Sequence, residues 1–276
     1  MESSEHLSFP TTKLHIFSEI RKRSRLFFQR NKHRKSHMKY AIIAAGEGSR
    51  LQHEGVALPK PLVPIAGEAM IDRLIRIFRQ NGAEEIVIIV NTLNPLTEQH
   101  IRCLQAEGKA DDVTLVVKTT PSSMHSFWEL SKHLTGGPFC LTTVDTIFRE
   151  EEFSAYISHF QQSEADGCMA VTDYVDDEKP LYVGTDEQLR ITGFHDTDEG
   201  DRYISGGIYA LRPSALRTLE ACIESGQSRM RNFQRALVSD GLRLEACPFS
   251  KILDVDHASD IAKAEAFLNP TEHHDN

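Results

Sequence analysis

Cysteine is scarce in this chain: five in 276 residues, at Cys103, Cys140, Cys168, Cys222 and Cys247, odd in number and never spaced as C-x-x-C. That pattern fits reduced thiols in the cytoplasm better than a disulfide framework or a structural zinc site. No apolar run approaches the roughly 18 residues that a membrane span needs. No apolar stretch behind the first charges reads as a secretory signal either. Positive charge is also short, and a formal net charge of −9 argues against a nucleic-acid binder, which needs clustered Lys and Arg. A P-loop would require Gly-Lys-Ser/Thr, and none occurs; the third glycine of a dinucleotide fingerprint is replaced by Leu51. The thirteen histidines show no metal-type clustering, and His273-His274 fall in a polar tail, residues 271–276.

What remains is an ordinary globular composition, 40% hydrophobic and 26% charged, long enough for one large α/β domain or two small ones. The charge is unevenly spread. Residues 1–38 hold nine Lys/Arg against three Asp/Glu, a net of +6, which leaves −15 for the rest. Three readings of this basic extension compete: a translated upstream segment with Met38 as the start, a surface- or partner-binding amphipathic helix, and a targeting peptide.

From Lys39 the pattern alternates strands and helices. Buried strands are expected at 40–45, 85–91, 113–118 and 139–145, with helices beginning at Met70 and spanning 95–107 and 124–134. This βαβαβ layout predicts a parallel sheet with helices on both faces. Beyond Asp145, closely spaced strands at 168–172, 181–184, 189–194 and 203–211 suggest an antiparallel or mixed lobe over the substrate. Helices near 213–225 and 229–240, a strand at 243–248 and a helix at 257–268 complete a domain of residues 39–270.

The first strand runs into Ala44-Ala45-Gly46-Glu47-Gly48-Ser49-Arg50-Leu51, followed by Pro59-Lys60-Pro61. Glycine at a strand end lets backbone N–H groups approach an anion with no Cβ in the way. Arg50 and Lys60 add two cations suited to a triphosphate, and Pro59, Pro61 and Pro64 stiffen the presentation of Lys60. A pair of glycines alone is a weak signal; the combination with Pro-Lys-Pro-Leu is far more specific.

The stretch IIAAGEGSRL with LPKPLVPIAGEAMIDRLIRIF resembles the N-terminal signature of the sugar nucleotidyltransferases, the nucleoside-diphosphate-sugar pyrophosphorylases and their MobA-like relatives. The resemblance implies a Rossmann-like three-layer α/β/α fold, with a mixed, mainly parallel sheet and a small antiparallel substrate-covering lobe. It implies an enzyme that joins an NTP to a phosphorylated acceptor, releasing pyrophosphate. It also implies that Gly46, Gly48 and Arg50, with Ala45 and Ser49 beside them, hold the triphosphate, and that Lys60 meets the α-phosphate. One departure is the stretch before Pro59, Gln52 to Leu58, which lacks the threonine common in members.

Magnesium bridging NTP phosphates calls for carboxylates from distant parts of the chain. Asp145 is expected to end the fourth strand, where ligands gather in open α/β sheets, with a helix N-cap as the plain alternative. It resembles the family's Gly-Asp metal ligand, with Val144 in place of the glycine. Leu253-Asp254-Val255-Asp256 resembles the C-terminal metal stretch of members; side-chain alternation puts Asp254 and Asp256 on one side, and Asp256 is preferred as ligand. Asp260 reads as a first-turn helix carboxylate and His257 as a cap or surface residue. The expected catalytic set is thus Arg50, Lys60 and Asp145, with Mg2+ on Asp145, Asp256 and Asp254.

Ser122 and Ser123 open a helix where members contact base and ribose, and simple helix capping by serine, with Trp128 in the core, is the even alternative. Gly206-Gly207 resembles the strand on which an acceptor sugar lies, against a plain β-bulge. Lys179, Arg202 and Lys251 are candidates for the acceptor phosphate; Glu178-Lys179-Pro180 precedes its expected strand and reads as a chance match. The acceptor is expected to be a sugar-1-phosphate, with phosphocholine as another option, and the nucleobase is not legible. A non-catalytic nucleotide-sugar-binding regulator of the same fold and a glycosyltransferase using Asp254-x-Asp256 are the competing functions. Oligomeric state is open, a homo-oligomer included.

Overall fold

A computed structural model of the chain describes residues 38–176 and 179–269. The basic extension therefore lies outside the described residues except for Met38, which is the buried first residue of β1 (Met38–Ala44). The 271–276 tail and Glu178 lie outside them too. Helix α1 (Ser49–His53), a 3-10 turn (Lys60–Leu62) and the hairpin β2 (Pro64–Ile65) and β3 (Glu68–Ala69) lead into α2 (Met70–Gln80). There follow β4 (Ala83–Val90), α3 (Pro95–Ala106), β5 (Val113–Val117), α4 (Ser123–Ser131), β6 (Phe139–Thr143) and β7 (Thr146–Ile147). The second half comprises α5 (Glu150–Gln162), β8 (Gly167–Thr172), β9 (Tyr182–Thr185), β10 (Ile191–His195) and β11 (Tyr203–Leu211). It closes with α6 (Ala215–Glu224), α7 (Met230–Ser239), β12 (Leu244–Phe249), β13 (Leu253–Asp254) and α8 (Ala258–Leu268).

One nine-stranded sheet carries the order β10-β9-β11-β6-β1-β4-β5, and β8 continues from β11 to β12. Strands β5, β4, β1 and β6 are parallel, as the alternating pattern requires; β11 is antiparallel to β6, β8 and β9. The antiparallel strands are thus continuous with the main sheet rather than a detached lobe. Both faces are buried, which is why β1 reads as an unbroken apolar run. Tyr40 and Ile42 pack with Phe78 of α2 and Phe153 of α5, while Ala41 and Ile43 pack with Phe127 of α4 and Phe233 of α7. The result is a three-layer α/β/α sandwich with a mixed sheet.

Helix α5 was not anticipated. Its Phe153, Tyr156, Ile157 and Phe160 have helical spacing and are all buried, but they follow a run of three glutamates that reads as surface. Those glutamates, Glu150, Glu151 and Glu152, occupy the first helical turn, where the dipole favours anions.

Candidate active site

The phosphate loop leaves the carboxyl end of β1 and bends at Gly48, which caps α1 with φ of 64°. A Cβ on Gly48 would lie 3.0 Å from Cβ of Lys60. Glycine there meets two demands, a left-handed backbone and the close approach of the lysine. Around Gly46 there is open space. Asn91, at the end of β4, fixes the other side: its Nδ2 donates to the carbonyls of Ala45 and Gly46, both at 3.1 Å. Its Oδ1 accepts from the backbone N–H of Leu93 at 2.9 Å and Asn94 at 3.0 Å. Asn91 is buried, and nothing in its local sequence marked it; only the parallel β1–β4 register brings it to the loop.

Ala44 to Arg50, Lys60, Thr120 to Ser123, Ser126, Asp145 and Asp256 line a cleft of about 440 Å³. Lys60 starts the 3-10 turn behind extended Pro59, and its side chain is 11% exposed. Its ammonium pairs with Asp145 and lies 2.7 Å from Oδ1 of Asp256. Burial alone would lower the Lys60 pKa, but Asp145 and then Asp256 outweigh it, so the net shift is upward and the ammonium stays charged. Arg50 extends into solvent and reaches Oδ2 of Asp256 at 3.2 Å.

Asp145 was expected to end the 139–145 strand, but β6 stops at Thr143, so Asp145 lies two residues on, in the turn between β6 and β7, and it caps no helix. Its Oδ2 faces Lys60, while Oδ1 is buried without a hydrogen-bond partner among the described residues. The C-terminal carboxylates are held against it by a two-residue ladder in which Leu253 pairs Ile147 and Asp254 pairs Thr146. The backbone N–H of Val255 donates to the Asp145 carbonyl at 3.1 Å. Asp256 faces Lys60 and Arg50, and Asp254 pairs with Thr146 across the ladder. Asp254 is exposed at its residue surface, but its carboxyl is desolvated against the cleft wall beside Asp145 and Asp256, which pushes it up to about 7. A buried, unpartnered carboxylate oxygen beside two further carboxylates is a donor set of the all-oxygen kind that a hard divalent cation takes.

His257 caps α8 and forms a capping box with Asp260, whose Oδ2 accepts from the backbone N–H of His257 at 2.8 Å and Asp256 at 3.2 Å. Asp260 therefore orients the Asp256 backbone as well as serving the helix. Glu54, in the stretch lacking the usual threonine, accepts from the Ala258 N–H and pairs with Nδ1 of His257, each at 2.6 Å. The loop is thereby tied to the N-terminus of α8.

Ser122 is the N-cap of α4, and its Oγ also lies 2.8 Å from Nδ1 of His125; Ser123 is the first helical residue. Both face the cleft, so capping and cleft lining coincide. Trp128 is half-buried against the core. Gly206, Gly207 and Lys179 are not among the residues lining the cleft. The glycine pair forms a bulge in the β11–β8 ladder. Gly206 is covered by Ile252, whose Cδ1 would lie 2.2 Å from an added Cβ, so its missing side chain makes room for packing. Gly207 has φ of 72° and faces Thr146, next to Asp254. Lys179 is exposed, and its carbonyl accepts from Arg231 at 3.0 Å. Arg202 pairs with Asp173, and Lys251 stacks over the Tyr174 ring at 4.0 Å.

Among solved structures, the inositol-1-phosphate CTP transferase of T. maritima superposes with a TM-score of 0.67 at 18% identity, covering 86% of this chain and all 100% of that one. A UDP-glucose pyrophosphorylase complexed with UDP-glucose gives 0.70 at 16% identity, covering 84% and 98%. These likenesses establish the nucleotidyltransferase fold. By sequence, the N-acetylmuramate alpha-1-phosphate uridylyltransferase of Caulobacter vibrioides is 27% identical over 173 residues, 59% of this chain and 63% of that protein. The mannose-1-phosphate guanyltransferase of Schizosaccharomyces pombe is 25% identical over 190 residues, 66% of this chain and 52% of its own length. The chain thus spans less than two thirds of the length of either relative. The profile of the MobA-like NTP transferase domain matches residues 40–240, so the chain belongs to the MobA-like NTP transferase family.

Proposed function

We propose that residues 39–270 form a nucleotidyltransferase that joins an NTP to a phosphorylated small acceptor, a sugar-1-phosphate, with release of pyrophosphate. The observation that carries this reading is the convergence of Lys60, Asp145 and Asp256 beside the Gly46–Gly48 loop, with one Asp145 oxygen buried and unpartnered. The two sequence relatives are named for N-acetylmuramate and mannose 1-phosphates, and the T. maritima neighbour for inositol-1-phosphate. No described helix is long and apolar enough to cross a membrane. The five free cysteines accord with a reducing compartment, the cytoplasm.

In this reading the loop from Ala45 to Ser49 cradles the triphosphate, and Arg50 and Lys60 turn from the carboxylates to the phosphates. Asp145 and Asp256, with Asp254 close by, hold Mg2+, which when bound neutralises charge on the α-phosphate and the leaving pyrophosphate. The acceptor phosphate is already anionic near neutral pH, so no strong general base is needed. Its oxygen attacks the α-phosphorus, the bond to the β-phosphate oxygen breaks, and pyrophosphate leaves with that oxygen. Catalysis then comes from in-line positioning and from cations aimed at the developing charge. Ser122 and Ser123 line the base side, and Gly207 lies toward the acceptor.

The test is pyrophosphate release across a panel of NTPs, each with sugar-1-phosphates and phosphocholine, in Mg2+. Turnover is expected for one pairing and a loss of at least about 100-fold in Asp145→Asn. Equal turnover in that variant would overturn the assignment.

A further inference from the structure

The Cys spacing rules out a local zinc knuckle, but the fold assembles thiols that the sequence keeps far apart. On β12, Glu245 and Cys247 share one face by strand alternation. The parallel partner β8 brings Cys168 opposite Glu245, and Cys247 opposite Ala170. From α5, His159 reaches over the same spot. One ligand atom each from His159, Cys168 and Cys247 lies within 4.8 Å of the other two. Oε2 of Glu245 is 2.8 Å from Nε2 of His159 and 3.7 Å from Sγ of Cys168. Both sulfurs are buried in the apolar layer between sheet and α5, while His159 is 55% exposed and opens the cluster to solvent.

We propose that His159, Cys168, Cys247 and Glu245 form a second metal site, distinct from the nucleotide cleft, for a thiophilic divalent cation, Zn2+. Two thiolates, an imidazole and a carboxylate are the ligand types that zinc takes in tetrahedral sites. Bonds of about 2.3 Å to sulfur and about 2.0 Å to nitrogen place tetrahedral ligand atoms about 3.3–3.8 Å apart. The observed spread closes to that by side-chain adjustments of about 1 Å, without moving the strands. The site would pin β12, which among the described residues has β8 as its ladder partner and a single bridge from Glu245 to Arg190, to the sheet and to α5. From its end at Phe249 the chain runs in a few residues to Asp254 and Asp256, so the pin would also steady the carboxylates of the cleft. Zinc takes cysteine as the thiolate, so a metal bound here displaces protons from both thiols.

The test uses the reduced full-length protein and Co2+ as the spectroscopic stand-in for Zn2+. One equivalent should give a thiolate-to-cobalt charge-transfer band, displaced by Zn2+ and accompanied by proton release. The band should persist in the Asp145→Asn, Asp256→Asn double variant, which separates this site from the nucleotide cleft. Cys247→Ser should abolish the band. Because that variant alters a buried position, His159→Ala at the surface is the second probe, expected to weaken Zn2+ binding by about 10- to 100-fold or more while the protein stays folded. Absence of a thiolate band in the folded, reduced protein overturns the site. So does an undiminished band in both variants, or oxidation of Cys168 and Cys247 to a disulfide in a protein that binds no Co2+ through sulfur.

Discussion

Lys60 is the counter-ion of Asp145 and Asp256, and replacing it with an unbranched apolar side chain of similar length isolates that role. In Lys60→Met the carboxylates keep their places but lose the ammonium between them. A unit charge pair at contact is worth about 4 kcal/mol at an effective dielectric of about 20. The cost of desolvating the lysine offsets part of this. The Asp256 pair is discounted further because that side chain is 45% exposed. A net loss of about 2–3 kcal/mol is expected in chelator at neutral pH. For a domain of this size, with about 2–4 °C per kcal/mol, Tm falls by about 4–12 °C. Mg2+ should narrow the gap, since a divalent cation between the carboxylates takes over the neutralisation that the ammonium supplied. Thermal unfolding of both proteins, in chelator and in Mg2+, checks all of this. A variant as stable as the parent in chelator, or a gap that Mg2+ leaves unchanged, would refute the reasoning.

Other perturbations separate the parts of the cleft. Gly48→Ala combines a left-handed backbone with a 3.0 Å approach to Lys60, whereas Gly46→Ala meets open space; the first should lose about 1–2 kcal/mol and most turnover, the second little stability. Denaturant melts and pyrophosphate release on the pair read this directly. Asn91→Ala removes the clamp on the Ala45 and Gly46 carbonyls and should cost about 1–3 kcal/mol, with a raised KM for the NTP. Unchanged steady-state parameters would show that the loop holds its shape unaided. The Asp254 carboxyl is raised from 3.8 to about 7, so the folded state favours its protonated form. Its charge therefore weakens metal-free stability as pH rises from 3.8 through about 7 and remains a full penalty above that. Asp254→Asn should raise the metal-free Tm at about pH 8 and match the parent near pH 4, as a pH series of melts would show.

Local chemistry was the legible part of this site. The Gly-x-Gly turn, the proline-braced lysine and the carboxylate after a buried strand each announce themselves because the constraint acts within a few residues. Most helix and strand positions were readable for the same reason, but the short α1, β2, β3 and β7 were not, nor was α5, whose apolar stripe hides behind Glu150, Glu151 and Glu152. What stayed out of reach depends on register. Asn91 matters because β4 lies beside β1, and Glu54 because α8 begins against the loop. Gly206 reads as a sugar platform until Ile252 is seen lying over it. His159, Cys168 and Cys247 meet only because β8 and β12 run parallel beneath α5.

The two-residue ladder between β7 and β13 fixes an order of completion. The glycine turn, Lys60 and the Asn91 clamp all lie within the first part of the sheet, but Asp254 and Asp256 arrive only when Leu253 and Asp254 pair with Ile147 and Thr146. A chain still emerging from the ribosome has built its nucleotide loop and Asp145 long before it possesses the partner carboxylates. Lys60 meanwhile has only Asp145 to pair with. Cation binding that depends on both carboxylates therefore waits until the chain has grown past Asp256 and the β7–β13 ladder has closed.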